Sequence, residues 1–230
     1  MTFILTNDDG IDAPGIKALF NAVKNLNINE NIVIVAPQEE LSGCGHKVTT
    51  HQPIHVQKRS EFEYTIAGTP ADCVRLALTH FSPAPKFVLS GINAGGNLGV
   101  DVYLSGTIAA VREATIHGIS AIAFSHWIKK PLAIDWHLAT QWTTRILAEL
   151  IKIPPTPGTF WNVNFTHLQA DLPEPKIIFC QPSTQPLPVK YRIEGDNFHY
   201  IGEYGKRDRA PGTDVDVCFS GNIAISQISL

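Results

Sequence analysis

Several features that mark whole classes of protein are missing from this sequence. Its four cysteines lie far apart, with no C-x-x-C pair, which argues against a disulfide framework and against a zinc site. No stretch approaches the ~20 uninterrupted apolar residues that a membrane helix requires. The first residues carry no basic segment ahead of the apolar run, as a signal peptide would. We therefore expect a cytoplasmic protein with no membrane partner.

An excess of charge of either sign is also missing. Charged residues make up 17% of the chain, and 18 basic against 21 acidic side chains give a formal net charge of -3. Such a chain offers no strong electrostatic case for binding a nucleic acid polymer or an anionic membrane. The hydrophobic content of 44% is nevertheless enough for a full core, which excludes a disordered chain.

Apolar runs alternate with helical patterns along the first part of the chain. Phe3 to Thr6 is a short run of strand formers, a helical pattern opens at Pro14, and Ile32 to Val35 is a continuous apolar run. A strand, a helix and a strand in this order predict a parallel sheet. The same alternation continues with predicted helices over 71–80, 106–117 and 135–151 and predicted strands over 87–89, 121–124 and 160–165.

One segment interrupts this alternation. Residues 47–66 alternate polar and apolar side chains, which is typical of an antiparallel excursion from the sheet. The sequence therefore predicts an α/β fold with a doubly wound, mostly parallel, Rossmann-like sheet. We assign residues 1–170, including the excursion, to this α/β core.

The last part of the chain has a different composition. Residues 171–230 contain prolines that break any long helix. The segments 191–194 and 199–203 flank the turn residues Gly195-Asp196-Asn197 and predict a hairpin. Residues 223–228 alternate as an edge strand does. We expect a β-rich C-terminal arm with a final strand, serving oligomerisation.

Polar clusters follow three of the predicted strands. They are Asn7-Asp8-Asp9-Gly10, Leu41-Ser42-Gly43 and the glycine-rich segment 90–97. In open α/β sheets the ligand crevice lies beyond the carboxyl ends of the strands, so the three clusters should face one crevice. Two carboxylates, a hydroxyl and an amide carbonyl then form an all-oxygen ligand set for a hard cation such as Mg²⁺, Mn²⁺ or Ca²⁺.

Each of these features has a plainer explanation. Adjacent carboxylates such as Asp8 and Asp9 are costly after a buried strand unless a cation neutralises them, but one of them can also cap the next helix. Ser105-Gly106-Thr107 begins a helix whose free N–H groups would suit a phosphate, and Ser105 can equally be an ordinary N-cap. The sequence contains neither G-x-G-x-x-G nor a P-loop, which disfavours dinucleotide and P-loop binding.

Five segments carry a resemblance to a known family: ILTNDDGIDAPGI (4–16), LSGCGHKVT (41–49), GTPADCV (68–74), SGINAGGNLGVDVYLSGTIAAVREATIHG (90–118) and GTDVDVCFSGNIAISQISL (212–230). The first four resemble, in this order, the signature segments of the SurE family of stationary-phase survival proteins, and the last resembles that family's C-terminal strand region. The resemblance covers essentially the whole chain. It implies a metal-dependent phosphatase that hydrolyses nucleoside 5'- and 3'-monophosphates, with short polyphosphate as a further substrate of some members.

The resemblance also implies roles for individual residues. One divalent cation per subunit, Mg²⁺ or Mn²⁺, would be held by Asp8, Asp9, Ser42 and Asn93, with the two aspartates also serving as the catalytic pair. Asn97, Ser105, Gly106 and Thr107 would bind phosphate. Family members form homodimers or homotetramers by exchanging C-terminal β-arms, so the arm should have that function here.

Two other functions remain open at this stage. A non-catalytic nucleotide or metal sensor would use the same residues, because binding and turnover need the same site. A Rossmann-type oxidoreductase would need a glycine fingerprint after the first strand and an acidic residue after the second. The chain has Asp8-Asp9 and Ala36-Pro37 at those places.

Overall fold

The structure is a computed structural model that describes residues 2–29, 31–82, 84–167 and 173–230. Its strands are β1 (Thr2–Thr6), β2 (Asn31–Pro37), β3 (Val56–Ser60), β4 (Glu63–Ile66), β5 (Phe87–Asn93), β6 (Ala121–His126), β7 (Thr159–Phe165), β8 (Ile177–Phe179), β9 (Tyr191–Glu194), β10 (Asn197–Tyr200) and β11 (Ile223–Ser229). Its α-helices are α1 (Pro14–Asn25), α2 (Pro70–Leu76), α3 (Gly106–Ile116), α4 (Trp136–Leu150) and α5 (Asp214–Phe219). No described helix is both long and apolar enough to cross a membrane.

Nine of the strands form one sheet in the order β3-β4-β2-β1-β5-β6-β7-β11-β8. The pairs from β4 through β2, β1, β5 and β6 to β7 are all parallel, and antiparallel pairing is limited to β3 with β4 and to β11 with β7. The predicted α/β class with a mostly parallel sheet is therefore confirmed.

Helices cover both faces of this sheet. Phe3 and Leu5 of β1 lie in one core cluster with side chains of α1 and α4, whereas Ile4 lies in a second cluster with side chains of α2 and α3. Successive residues of a strand point to opposite faces, so a strand buried on both faces is apolar throughout. This is why β1 and β2 appear in the sequence as unbroken apolar runs.

The winding of the sheet reverses at β1. The chain leaves β1 to form β2 on one side and later adds β5 on the other side. In open α/β sheets the ligand crevice lies at such a reversal, outside the carboxyl ends of the strands. The segments that follow β1, β2 and β5 therefore meet in one place.

Within residues 47–66, only part of the chain is in strands. β3 and β4 are antiparallel, and β4 joins the main sheet beside β2. Residues 47–49 instead bond to the start of α2: Thr49 donates from its backbone N–H and its hydroxyl to Asp72, and the Thr69 hydroxyl donates to the Lys47 carbonyl. In residues 47–49, hydrogen bonds that involve side chains therefore take the place of the backbone hydrogen bonds of a β-sheet.

The final strand is not at the edge of the sheet, so that prediction is wrong. β11 lies between β7 and β8. β8 pairs only with residues 223–225 of β11, and residues 223–226 are buried without alternation. The exposed positions, Gln227 and Ser229, come after the pairing with β8 has ended. The alternation in the sequence therefore reflects only the C-terminal half of β11, which β8 does not cover.

The predicted hairpin lies outside the main sheet. β9 and β10 form a separate two-stranded antiparallel sheet, and the turn is the two residues Gly195 and Asp196, with Gly195 at φ +59°. The second strand therefore begins at Asn197, two residues before the predicted start. Two other elements of the C-terminal part of the chain, β8 and α5, were not predicted. The division of the chain at residue 170 and the function of the arm remain predictions.

Candidate active site at the carboxyl ends of β1 and β5

Asp8 lies at the centre of the crevice, directly after β1. It is buried, and its Oδ1 accepts a hydrogen bond of 2.5 Å from the hydroxyl of Thr107 in the first turn of α3. Its backbone carbonyl accepts the N–H of Leu41 at 2.8 Å, which fixes the loop after β2 against it. Asp8 thus joins two of the three segments that meet in the crevice.

Gly106 allows α3 to approach this carboxylate. A Cβ atom at position 106 would lie 2.8 Å from Asp8 Cβ, 2.9 Å from Asp8 Oδ2 and 3.0 Å from Cys44 Sγ. Real Cβ contacts this short are essentially never seen, so any larger residue would force the helix start and Asp8 apart. The glycine therefore determines how close the N-terminus of α3 lies to the acidic pair.

Asp9 joins the third segment. Its Oδ2 accepts the backbone N–H of Ala94 at 3.1 Å, which holds it beside Asn93, the last residue of β5. Asn93 donates its own amide N–H to the Gly95 carbonyl at 2.9 Å. This bond uses the amide nitrogen of Asn93, and the part of its amide oxygen in holding a cation remains a prediction.

Ser42 lies on the loop after β2 and is exposed. Its hydroxyl donates to Glu40 Oε1 at 2.8 Å. Burial raises the pKa of Asp9, and the negative charge of Glu40 acts in the same direction. Ser42 is thus linked to a third carboxylate next to the acidic pair, and its part in holding a cation remains a prediction.

The residues predicted to bind phosphate have defined protein partners. Ser105 is the N-cap of α3 and accepts the N–H of Ile108, as simple capping requires. The side-chain amide of Asn97 donates to Ser125 Oγ at 2.8 Å, and its backbone N–H donates to Asn164 Oδ1 at 2.8 Å. Phosphate contacts by Asn97, Ser105, Gly106 and Thr107 remain predictions.

The acidic pair carries charge that the described protein does not neutralise. Burial and, to a smaller extent, the charge of Asp9 raise the pKa of Asp8 to about 6, although the hydrogen bond from Thr107 lowers it. Burial is also the main cause of the raised pKa of Asp9. Within residues 2–29, 31–82, 84–167 and 173–230, neither carboxylate is paired with a lysine, arginine or histidine.

The donor atoms at this place fit a hard divalent cation. Burial desolvates Asp8 and, in part, Asp9, whose carboxylate accepts the N–H of Ala94 next to Asn93, and the buried Asn7 Oδ1 has no hydrogen-bond partner among the described residues. The part of the chain that the structure describes holds no group of three histidine, cysteine, aspartate or glutamate side chains suited to a metal ion. A cation here would therefore also need hydroxyl or amide oxygens, or water, as Mg²⁺ and Mn²⁺ accept.

Comparison with known proteins identifies the family. The model of the family described as "Survival protein SurE" matches residues 3–185. The chain belongs to the SurE family. It is similar to a protein of Nostoc sp. (strain PCC 7120) named as a candidate 5'-nucleotidase, with 61% identity over 99% of both chains.

More distant SurE relatives give the same picture. The 5'-nucleotidase SurE of Paramagnetospirillum magneticum is 35% identical over 99% of this chain and 89% of its own length. The crystal structure of the SurE protein from Aquifex aeolicus matches with a TM-score of 0.86 at 32% identity, covering 100% of this chain and 93% of that one. The SurE fold is therefore present from end to end.

Sequence analysis did not single out Glu40, an acidic residue beside this candidate site. Glu40 approaches Asp9 and Ser42 although no motif marks it. Its signal was its position, because it lies two residues before Ser42 and so at the same edge of the sheet. An acidic residue close in sequence to a predicted cation ligand can therefore be considered part of the same site, even where it lies outside the polar clusters.

Proposed function

We propose that this SurE-family chain is a metal-dependent phosphatase that hydrolyses nucleoside 5'- and 3'-monophosphates to nucleoside and phosphate, with short-chain polyphosphate as a further substrate. The observation that carries the proposal is the contact between the buried, unneutralised Asp8 and the first turn of α3. Acid groups and helix N–H groups at one place suit a cation and a phosphoryl anion together. The names of the relatives, 5'-nucleotidase SurE, agree with this.

One divalent cation per subunit, Mg²⁺ or Mn²⁺, would be held by Asp8, Asp9, Ser42 and Asn93. When bound, it would supply positive charge that neutralises phosphoryl oxygens and lowers the pKa of an attacking water. Glu40 would add to the negative potential that attracts it. The fit rests on the oxygen donors described above.

The remaining steps fall to the residues of the chain. In the first turn of α3, Ser105 caps the N–H of Ile108 and the backbone N–H of Thr107 bonds to Asp8, so the N–H of Gly106 and the positive end of the helix would bind and orient the phosphoryl oxygens. Thr107 fixes the orientation of the Asp8 carboxylate. One aspartate of the pair accepts the proton of the attacking water. Direct attack by an aspartate on phosphorus is the alternative, and rapid-quench trapping of a phosphoenzyme would distinguish the two.

The test is phosphate release from AMP, GMP and CMP with Mn²⁺ or Mg²⁺, before and after chelation. Asp8→Asn and Asp9→Asn should each abolish release without unfolding the protein. Asp12→Asn is the matched control, because Asp12 is exposed and pairs with Arg59 on the surface. A fully active Asp8→Asn protein would refute the assignment.

Two other outcomes favour the competing functions. Nucleotide binding without phosphate release would indicate a sensor. A nicotinamide cofactor that raised the melting temperature would indicate an oxidoreductase. The first is the closer competitor, since a sensor would use the same acidic pair.

We further propose that the chain forms a homodimer or homotetramer through the C-terminal arm, in the cytoplasm. The hairpin of β9 and β10 leaves Ile193 and Phe198 more than half exposed, and Val189 precedes it at 78% exposure. Apolar side chains gathered on one projecting element are typical of an interface. All four cysteines are free thiols, which suits a reducing compartment.

A further inference from the structure

The loop between β5 and α3 determines where α3 begins. It runs through Gly95 and Gly96 to the short 3-10 helix Gly99–Tyr103 and ends at Ser105. The backbone carbonyl of Asp101 accepts the N–H groups of both Leu104, at 2.9 Å, and Ser105, at 3.1 Å. The position of Asp101 therefore sets the position of the N-cap of α3.

The carboxylate of Asp101 is itself held from the far end of the chain. Its Oδ2 accepts three hydrogen bonds: from Leu98 N at 3.0 Å, from the Tyr204 hydroxyl at 2.5 Å and from Arg207 Nη1 at 2.8 Å. Arg207 Nη2 also donates to the Leu98 carbonyl at 3.2 Å. Tyr204 and Arg207 thus bind the loop at both a side chain and the backbone.

The burial of Arg207 indicates that its contribution is geometric. Its side chain is fully buried, and its Nε has no partner among the described residues. A buried ion pair adds little net stability, because desolvation offsets the attraction. The planar guanidinium, however, fixes the direction of two donors at once, which lysine cannot do. Burial and the charge of Asp101 raise the pKa of Tyr204, so its hydroxyl remains a donor at neutral pH.

We propose that Tyr204 and Arg207 are positioning residues for the phosphoryl site, acting through Asp101 on the first turn of α3. Contacts described above connect each step, from Asp101 to Ser105 and from Thr107 in the same turn to Asp8. The inference rests on the proposed phosphatase function. The proposal gives the C-terminal quarter of the chain a part in the reaction, in addition to the expected exchange of C-terminal arms between subunits.

The test compares Tyr204→Phe and Arg207→Lys with two matched controls. Tyr200→Phe removes a hydroxyl that donates to the Pro188 carbonyl on the exposed hairpin, and Arg209→Lys changes an arginine over the Phe219 ring. We expect kcat to fall about 10- to 100-fold in the two test variants while KM changes less than about 3-fold, because misplaced transition-state contacts affect turnover. The controls should keep kcat.

Hydrogen exchange gives a second readout that does not depend on activity. Peptides spanning residues 96–108 should exchange faster in both test variants than in the wild type, while peptides of β1 should not. Unchanged exchange, or an equal fall of kcat in the controls, would overturn the proposal. If Tyr204→Phe fails to fold, Arg207→Lys decides, since it keeps the charge. A wild type that releases no phosphate would refute the phosphatase function. Hydrogen exchange in residues 96–108 would still decide whether Tyr204 and Arg207 hold the loop before α3 in place.

Discussion

Thr107 donates its hydroxyl hydrogen to Asp8 Oδ1 across 2.5 Å, which joins two residues 99 positions apart. The bond has two consequences. It stabilises a carboxylate whose burial is costly, and it holds the first turn of α3 against the end of β1. Stability and the geometry of the site therefore depend on the same hydroxyl.

Thr107→Val should lower both the stability of the protein and its phosphatase activity. It keeps the shape of the side chain but leaves Asp8 without this donor, and a hydrogen bond to a charged group contributes about 2 kcal/mol. We expect the free energy of unfolding at pH 7 to fall by about that amount. The rate of phosphate release should fall at least 10-fold, which corresponds to an activation barrier higher by about 1.4 kcal/mol. Urea unfolding and steady-state kinetics measure the two effects. Thr107→Ser retains the hydroxyl and is the control; equal behaviour of the two variants would contradict the prediction.

Gly106→Ala should separate the helix from the acidic pair. The added methyl group would lie 2.8 Å from Asp8 Cβ, so the start of α3 must move. We expect turnover to fall about 100-fold, as a displacement of about 1 Å can cause. Gly205→Ala is the control, because a Cβ there meets nothing within 4 Å. If the two alanine variants retain equal activity, the close approach of α3 is not needed.

Much of this site could be predicted from the sequence, for a physical reason. An apolar run such as Phe3–Thr6 identifies a strand buried on both faces, and the topology of parallel sheets brings the residues after it to the crevice. The clusters that contain Asp8, Asp9 and Asn93 were placed at the crevice in this way. The resemblance to the SurE family supplied the roles of the individual residues, and those roles remain predictions.

The parts that were missed depend on distant partners. The partners of Asn97 were not predicted: its backbone N–H and carbonyl bond to the side chains of Asn162 and Asn164, some 65 residues later, and its side-chain amide donates to Ser125. Its contact with phosphate remains a prediction. β11 is interior only because the three residues of β8 pair on its outer side. No pattern within either segment records such partners, so neither could be read from the sequence alone.

His126 should make stability depend on pH. Burial lowers its pKa to about 4, while its Nδ1 bonds to the Trp127 carbonyl at 2.8 Å. A histidine that is neutral when folded stabilises the protein fully above its unfolded pKa of about 6.5, and the contribution is lost as the pH falls towards 4. Between pH 7 and pH 5 the wild type should lose about 2 kcal/mol more than a variant without this histidine.

His126→Asn tests this, because the asparagine amide can donate to the same carbonyl. Urea unfolding at pH 7 and pH 5 gives the two free energies for each protein. His51→Asn, an exposed histidine, should change with pH as the wild type does. Parallel pH dependence in the wild type and His126→Asn would exclude His126 as the cause.

The hairpin should control assembly. Phe198 is 64% exposed on β10, and a partner subunit would bury it. Phe198→Glu places a charge in that interface, so light scattering during gel filtration should report a smaller species than the wild type. Phe62→Glu, at an exposed aromatic outside the arm, should leave the mass unchanged. An unaltered assembly in Phe198→Glu would place the interface elsewhere.

Removal of divalent cations should lower the melting temperature. Asp8 and Asp9 repel each other in a buried setting, and Glu40 adds to the repulsion of Asp9, so a bound cation relieves a cost of the folded state. A ligand at 100 times its Kd stabilises by about 2.7 kcal/mol. Mn²⁺ titrated into chelator-treated wild type should therefore raise the midpoint of thermal unfolding, and the increase should vanish in Asp9→Asn but persist in Asp12→Asn. An equal increase in Asp9→Asn would mean that the cation binds away from the acidic pair, and the phosphoryl chemistry assigned to that pair would lose its basis.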